Sequence, residues 1–364
     1  MNDFYAVIPA GGSGSRLWPL SRADSPKFLH DLSGAGKTLI RSTWDRLESF
    51  VPSKNILVVT GAAHEEAVLR EIPEVDRSNL LLEPEPKDSA AAVGLALLHV
   101  MDLNPDAIVG SFAADHLIDD DDLFRQAITS AIATASRRKI VTIGVRPTEP
   151  STAFGYIQVA LSSQEKENDP QRVLSFVEKP SYEKASEYVG SGRFFWNAGM
   201  FVARASLLWT FYEVIRPELA STLRAYHSSS TAGETDAAHA LWRSLPKDAI
   251  DYVVAEPAAK EGLMEMVVAQ FGWDDIGDFA ALEKLHQPRS SGAVVVLGPN
   301  AKVVSQDSSG VVVSQSRRLV SLIGVSDIVV VDTPDALLVT TKEHAQAVKQ
   351  MVEHMKLEGL EDVL

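Results

Sequence analysis

Three glycines and two basic residues lie close together near the N-terminus, in the stretch AVIPAGGSGSRLWPLSRADSPKFL from Ala6 to Leu29. The apolar segment from Phe4 to Ile8 precedes the glycines and is typical of a buried β-strand. Glycines let a backbone approach a ligand closely, so that successive N–H groups can point at negatively charged oxygens. Arg16 and Lys27 add the positive charge that a triphosphate requires. We therefore predict a loop that binds a nucleoside triphosphate through Ala10, Gly11, Gly12, Ser13, Gly14 and Ser15.

Other glycine-rich loops fit this stretch less well. A P-loop requires the pattern GxxxxGK[ST], which is absent. A dinucleotide-binding loop requires a third glycine where Leu17 stands and opens a helix, whereas Trp18 and Pro19 follow here. An ordinary glycine-rich turn is the remaining alternative, but such a turn has no need of Arg16 and Lys27.

The run from Gly11 to Leu29 resembles the signature of the sugar-1-phosphate nucleotidyltransferases. The segments WPLSR (18–22) and PKF (26–28) are specific to the branch of that family that uses GTP and mannose 1-phosphate. The chain departs from that family signature at two places, and neither departure removes a charge. Ser15 replaces the usual Thr, and Leu29-His30 stands where many members have Gln. The resemblance implies that Arg16 and Lys27 are the catalytic residues.

Two acidic motifs predict a site for a divalent cation. Asp115 follows the strand-like segment AIVGSFAA (107–114), and a carboxylate at a strand end is well placed to bind Mg²⁺ and, with it, the nucleotide. An Asp that caps the next turn is the alternative. In the second motif, GWDDIG (272–277), the resemblance implies that Asp275 is the other Mg²⁺ ligand, with Asp274 the adjacent candidate.

The segment EPEPKDSA (83–90) connects a predicted strand to a predicted helix. The resembled family uses this segment to select the base, which implies that Glu83, Pro86 and Ser89 bind the nucleotide. A carboxylate at Glu83 can accept from N1–H and the amino group of guanine, and adenine has no such donor pair. The alternative is a simple helix entry capped by Asp88 or Ser89, and both can hold.

Four further motifs are individually more typical of structural roles: FGYI (154–157), VEKP (177–180), FWNAGM (195–200) and IDY (250–252). Together they match the sugar-phosphate pocket of the resembled family. By that resemblance Gly155, Glu178, Asn197 and Asp251 would bind sugar hydroxyls. Lys179 would pair with the phosphate of the sugar.

Strands and helices alternate through the first half of the chain, which predicts an α/β fold with a mostly parallel, Rossmann-like sheet and helices on both faces. Ile250 is expected to begin a further strand. After residue 288, short β-branched segments alternate with turn residues, which predicts a small β appendage, and an amphipathic helix from Lys342 to Lys356. The resemblance suggests a left-handed β-helix there. We predict a nucleotidyltransferase catalytic domain over residues 1–288 and the appendage with its C-terminal helix over residues 289–364.

The composition restricts the partners. The chain of 364 residues has 34 Lys and Arg against 49 Asp and Glu, a net charge of −15, which disfavours binding to nucleic acid or to an anionic membrane. Phosphates must therefore be attracted by locally placed cations. The chain has no cysteine and no signal-like or membrane-spanning apolar run, so we expect a cytoplasmic protein. We also expect a homodimer.

The resemblance implies the reaction of GTP with α-D-mannose 1-phosphate to give GDP-mannose and pyrophosphate. The phosphate oxygen of the sugar would attack the α-phosphorus in line, assisted by Mg²⁺. Two alternatives stay open at this stage. One is the same reaction with another sugar 1-phosphate or nucleotide, and the other is a non-catalytic homologue that binds GDP-mannose and regulates a partner.

Overall fold

The computed structural model describes residues 3–160, 169–286, 294–298 and 301–364. The chain divides into two compact units. The first unit comprises Met1–Gly11, Ser42–Ala114 and Ile118–Trp273, and the second comprises Gly12–Arg41, Asp115–Leu117 and Asp274–Leu364. The predicted domain boundary at residues 288 and 289 lies outside the described residues and stays a prediction.

The chain forms seventeen strands and eleven α-helices in its described residues. The strands up to residue 274 are β1 (Phe4–Ala10), β2 (Ile56–Gly61), β3 (Leu80–Glu83), β4 (Ile108–Ser111), β5 (Leu117–Ile118), β6 (Ile140–Val145), β7 (Tyr156–Val159), β8 (Gln171–Val177), β9 (Phe194–Arg204), β10 (Met264–Val268) and β11 (Trp273–Asp274). The helices over the same part are α1 (Leu39–Glu48), α2 (Glu65–Glu71), α3 (Ser89–Leu103), α4 (Asp121–Ala135), α5 (Tyr182–Ser191), α6 (Ala205–Ile215), α7 (Pro217–Thr231), α8 (Thr235–Ser244) and α9 (Glu256–Lys260). The remaining elements are α10 (Phe279–His286), β12 (Val294–Leu297), β13 (Lys302–Gln306), β14 (Gly310–Ser314), β15 (Leu319–Ile323), β16 (Ile328–Asp332), β17 (Leu337–Thr341) and α11 (Val348–Leu357).

The first unit is built on a sheet with the strand order β3-β2-β1-β4-β9-β6-β10-β8-β7. Strands β1 to β4 are mutually parallel, β6 is parallel to β10, and β9 runs antiparallel to both β4 and β6. All of these strands except β8 and β9 therefore run in one direction, which confirms the predicted mostly parallel α/β sheet. Because β1 and β3 both flank β2 in parallel, their carboxyl ends, Ala10 and Glu83, reach the same edge.

Helix α3 shows why the first half was predictable. Its apolar run is buried along nearly its whole length, and Asp88 caps its first turn by accepting a hydrogen bond from the Ser89 N–H. The helix spans Ser89–Leu103, which confirms the helix predicted to follow the segment EPEPKDSA. A helix that is apolar on all sides must be buried on all sides. Helices α6 and α7 and the sheet bury α3 in this way.

One predicted element is wrong. The segment beginning at Ile250 is not a strand but a π-helical turn, Asp251–Ala255, followed by α9. The β-branched pair Val253 and Val254 suggests a strand locally, but both side chains are fully buried in the core of the first unit. Tertiary burial outweighs strand propensity at this position.

The second unit contains the predicted β appendage. Strands β12, β14 and β16 lie side by side in parallel, and β13 pairs in parallel with β15, so that successive turns of chain stack on one another. Gly310 permits this stacking: its φ is +131°, and a Cβ there would lie 1.9 Å from the carbonyl oxygen of Ile328. Strand β17 ends the sheet antiparallel to β16.

The C-terminal helix begins later than predicted. Residues Lys342–Ala347 form a 3₁₀ segment, and the α-helix proper is Val348–Leu357. Val348, Val352 and Met355 are buried as the amphipathic pattern predicts, whereas Met351 is half exposed. Among the described residues, no helix combines the length and the apolar character that crossing a membrane would require.

Candidate active site

The glycine-rich loop continues from β1 into the second unit, where a tight backbone turn forms it. Gly12 and Gly14 have φ of +83° and +68°, and a Cβ on Gly14 would lie 2.7 Å from Cβ of Lys27. Glycine at position 14 is therefore required both by conformation and by the close approach of Lys27. Ser21 closes the turn, because its hydroxyl donates to the carbonyl oxygens of Ser13 and Gly14.

Lys27 is a buried charge of the second unit that is held by two contacts. Its side chain is buried, and its ammonium forms a 2.7 Å ion pair with Asp115 and also donates to the backbone carbonyl of Asp275. Burial alone would raise the pKa of Asp115, but Lys27 and His116 hold that pKa below its usual value. Lys27 thus joins the signature loop to the two segments that carry the predicted metal ligands.

Asp275 lies in a different electrostatic environment from Asp115. Burial, opposed by Lys27 and reinforced by the carboxylates of Asp274 and Asp115, raises the pKa of Asp275 to about 6. Asp274 accepts a 2.6 Å hydrogen bond from the Ile276 N–H, which gives it a role in the turn. Two interacting carboxylates that repel one another are a donor set that suits a hard divalent cation. Among the described residues, no group of three or more potential ligands forms a complete metal site.

A cavity of about 350 Å³ lies within the second unit and brings these residues together. Predicted site residues in its lining are Gly12, Ser13, Gly14, Ser15, Arg16, Lys27, Asp115 and Asp275. Lys349 of helix α11 also lines it. In the described part of the chain no carboxylate forms an ion pair with Arg16 or Lys349, although the charge of Arg16 acts on Asp275 and opposes the burial that raises its pKa.

The rest of the signature, WPLSR, anchors the loop to the C-terminal part of the second unit. Arg22 forms a bidentate ion pair with Asp335, with two 2.6 Å contacts, and donates to Thr333. The indole N–H of Trp18 donates to the carbonyl of Val363 at 2.7 Å. These contacts hold the loop in position.

Glu83, at the end of β3, is the predicted base-binding residue in the first unit. Its side chain is buried, and its Oε1 has no hydrogen-bond partner among the described residues. A Cβ on Gly11 would lie 3.6 Å from its Oε2, so the carboxylate faces the start of the glycine-rich loop. Burial, with a smaller contribution from Asp88, raises the pKa of Glu83 to about 7. An unsatisfied buried carboxyl of this kind is costly to the fold and indicates a ligand.

The loop that follows Glu83 is held by helix α8. Trp242 donates from its indole N–H to the carbonyl of Glu85 at 2.7 Å, and Lys87 donates to the carbonyl of Arg243 at 2.8 Å. Pro86 lies between these two anchors and is exposed. The hydroxyl of Ser89 accepts a 3.0 Å hydrogen bond from the Ile250 N–H. Ser89 therefore connects the base loop to the segment that carries Asp251.

The five predicted sugar-binding residues form one cluster in the first unit. A Cβ on Gly155 would lie 2.5 Å from Oε2 of Glu178, so this carboxylate lies directly against the glycine. Lys179 donates to the other oxygen of Glu178. Asn197 donates to Asp251 at 3.0 Å, and its backbone N–H donates to the carbonyl of Gly155 at 2.8 Å.

Of the acids in this cluster, Asp251 has the most strongly shifted pKa. Burial, with a further contribution from Glu178, raises the pKa of Asp251 to about 7, although Lys179 opposes the shift. Thr142, which the sequence did not indicate, fixes Asn197 by donating to its Oδ1 at 2.8 Å. The cluster therefore presents carboxylates, an amide and one ammonium, which are groups that bind hydroxyls and a phosphate.

Several residues of these sites were not predicted. No sequence pattern near Lys349 indicates a ligand-binding role, because helix α11 has the pattern of an ordinary amphipathic helix. Ser21 and Arg22 stand in the quoted signature but were assigned no role, and His116 adjoins the predicted Asp115. Only the three-dimensional contacts distinguish the residues that support the loop from those that face the cavity.

Comparison with known families gives two matches along the chain. Residues 5–291 match the family model described as nucleotidyl transferase, and residues 301–355 match the model described as MannoseP isomerase/GMP-like beta-helix domain. The second match agrees with the stacked parallel strands of the appendage and with the predicted β-helix.

Individual relatives cover nearly the whole chain. Mannose-1-phosphate guanylyltransferase of Escherichia coli (strain K12) is 33% identical over 98% of this chain and 74% of its own length. The alginate biosynthesis protein AlgA of Pseudomonas putida is 34% identical over 97% of this chain and 72% of its own length. The crystal structure of a protein described as mannose-1-phosphate geranyltransferase from Thermus thermophilus superposes with a TM-score of 0.83 at 34% identity, over 97% of this chain and 99% of that one. The chain therefore belongs to the nucleotidyl transferase family and, within it, to the mannose-1-phosphate guanylyltransferases.

Proposed function

We propose that this protein transfers GMP from GTP to α-D-mannose 1-phosphate, which forms GDP-mannose and releases pyrophosphate. The observation that carries the proposal is the cavity of the second unit, where the glycine-rich loop, Arg16 and Lys27 lie with Asp115 and Asp275. In this reaction the phosphate oxygen of the sugar attacks the α-phosphorus of GTP and the bond to pyrophosphate breaks. No enzyme nucleophile takes part, so the protein contributes positioning and charge neutralisation.

In this proposal, Arg16 and Lys27 bind different phosphates of GTP. Arg16, which has no carboxylate partner among the described residues, binds the β- and γ-phosphates and stabilises pyrophosphate as it leaves. Lys27 acts toward the α-phosphate, from a position fixed by its hydrogen bonds to Asp115 and to the Asp275 carbonyl. Preorganised charge of this kind contributes roughly 3–4 kcal/mol per group to transition-state stabilisation.

Asp115 and Asp275 would hold Mg²⁺. Their oxygens are hard ligands. Burial, with repulsion from Asp274 and Asp115, raises the pKa of Asp275, and a bound cation would stabilise its carboxylate form. When bound, the ion supplies Lewis-acid neutralisation of the phosphate charge. With only two protein carboxylates offered, we propose that nucleotide oxygens complete the coordination, as is usual for Mg²⁺ at phosphate sites.

The two clusters of the first unit select the substrates in this account. Glu83, ionised, accepts hydrogen bonds from N1–H and the amino group of guanine, which satisfies its buried Oε1. Glu178, Asn197 and Asp251 accept from or donate to sugar hydroxyls, and Lys179 pairs with the sugar phosphate. The homodimer and the cytoplasmic location stay predictions, and sedimentation of the purified protein tests the first.

The proposed reaction is tested by the pyrophosphate that purified protein releases with Mg²⁺, over a grid of nucleoside triphosphates and sugar 1-phosphates. We expect release with GTP and mannose 1-phosphate and recovery of GDP-mannose in equal amount. Preference for another pair would contradict the substrate assignment alone. Binding of GDP-mannose without turnover on any pair would indicate a regulatory homologue instead.

The dissociation constant of GTP should depend on pH through Glu83. The carboxyl must lose its proton to accept from guanine, so with a pKa of about 7 the affinity rises as the pH rises from 6 to 8, by about tenfold. Calorimetric titrations across this range measure it. The Glu83→Gln variant is the matched control, since the GTP phosphates titrate equally in both proteins. Equal pH dependence in the two proteins would contradict the role of Glu83.

Binding of a divalent cation should depend on both Asp275 and the nucleotide. We expect Mn²⁺, followed by electron paramagnetic resonance as a substitute for Mg²⁺, to bind weakly alone and more tightly with GTP. Asp275→Asn should weaken the ternary binding roughly tenfold, because a charged ligand is lost. Asp122→Asn, on an exposed turn of α4, is the control. Unchanged Mn²⁺ affinity in Asp275→Asn would rule out this ligand.

A further inference from the structure

We propose that Lys349, on the C-terminal helix α11, is a third phosphate-binding cation of this cavity and contacts the pyrophosphate part of the nucleotide. Its side chain lines the same cavity as Arg16 and Lys27, together with the glycine-rich loop. The inference rests on the proposed function only for the identity of the anion, since any polyphosphate in this cavity would meet the same charge.

The C-terminal helix is fixed to the signature loop, so that Lys349 is held beside it. Val348, Val352 and Met355 of α11 pack in one buried cluster with Trp18, two residues after Arg16. The indole of Trp18 also donates to the Val363 carbonyl just beyond the helix. A side chain that begins on a helix anchored in this way reaches the cavity from a defined position.

The pairing of charges in the cavity indicates that Lys349 can bind an anion. Lys27 already pairs with Asp115 and donates to the Asp275 carbonyl, so much of its charge is compensated within the protein. Arg16 and Lys349 are the lining cations without a carboxylate partner in the described ranges. In a chain with a net charge of −15, cations that lie together and are not tied up in ion pairs provide the local attraction that a polyphosphate needs.

Lys349 has no evident structural role that would explain its position. Its side chain is exposed, while the residue before it, Val348, is buried and supplies the packing. On the same helix, Lys356 is also exposed but is paired with Glu353 at 3.1 Å and does not line the cavity. The two lysines therefore form a matched pair for a test.

The test is calorimetric titration of inorganic pyrophosphate, in the presence of Mg²⁺, into the full chain and three variants. Lys349→Ala should bind pyrophosphate about tenfold more weakly, as expected when one charge-assisted contact is lost. Lys349→Arg should stay close to the unsubstituted protein, and Lys356→Ala should be unchanged. The affinity of Lys349→Ala should also fall less steeply with salt, which a purely structural role would not produce.

The inference would be overturned by equal pyrophosphate affinity in Lys349→Ala and the unsubstituted protein, or by equal weakening in Lys356→Ala. Failure of the unsubstituted protein to bind pyrophosphate would overturn it as well. Formation of GDP-mannose by the unsubstituted protein is measured separately. If Lys349→Ala loses pyrophosphate affinity and the unsubstituted protein forms no GDP-mannose, this inference is retained and the proposed function is rejected.

Discussion

The buried ammonium of Lys27 is the interaction on which the phosphate-binding cavity depends. It joins three segments of the second unit, because it pairs with Asp115 and donates to the Asp275 carbonyl while its own side chain crowds Gly14. Without this cation, Asp115 and Asp275 would lie close together with no positive charge between them, which is costly for partly buried carboxylates. The same contact that stabilises the turn therefore arranges the groups that face the cavity.

The predicted sites of the two units differ in their balance of charged groups. In the second unit, three cations line the cavity of the glycine-rich turn together with Asp115 and Asp275, and the cations suit phosphate oxygens. In the first unit, Glu83, Glu178 and Asp251 are buried or partly buried carboxyl groups, two of them with a pKa of about 7. Carboxylates accept hydrogen bonds from hydroxyl and amino groups and repel phosphates. A nucleotide sugar contains hydroxyl and amino groups as well as phosphates, and groups of both kinds are therefore needed to bind it.

Local patterns carried most of what the sequence could predict. A helix was predicted where α3 begins, because an apolar run follows there, and the glycine-rich loop was predicted from its residue types. The segment after Ile250 was mispredicted because burial in the core, which is not visible locally, converts a β-branched pair into a helical turn. Lys349 and the anchoring contacts of Trp18 depend on residues far apart in the chain, so no pattern within one segment indicates them.

The central claim is that the protein positions a direct attack by the sugar phosphate and offers no nucleophile of its own. The most direct test uses GTP with one non-bridging α-oxygen replaced by sulfur, in a single known configuration. The configuration at phosphorus in the GDP-mannose analogue formed with mannose 1-phosphate is then determined by ³¹P NMR. A single in-line displacement predicts inversion. Retention would require two displacements, and thus a covalent intermediate on the protein, and would contradict the account.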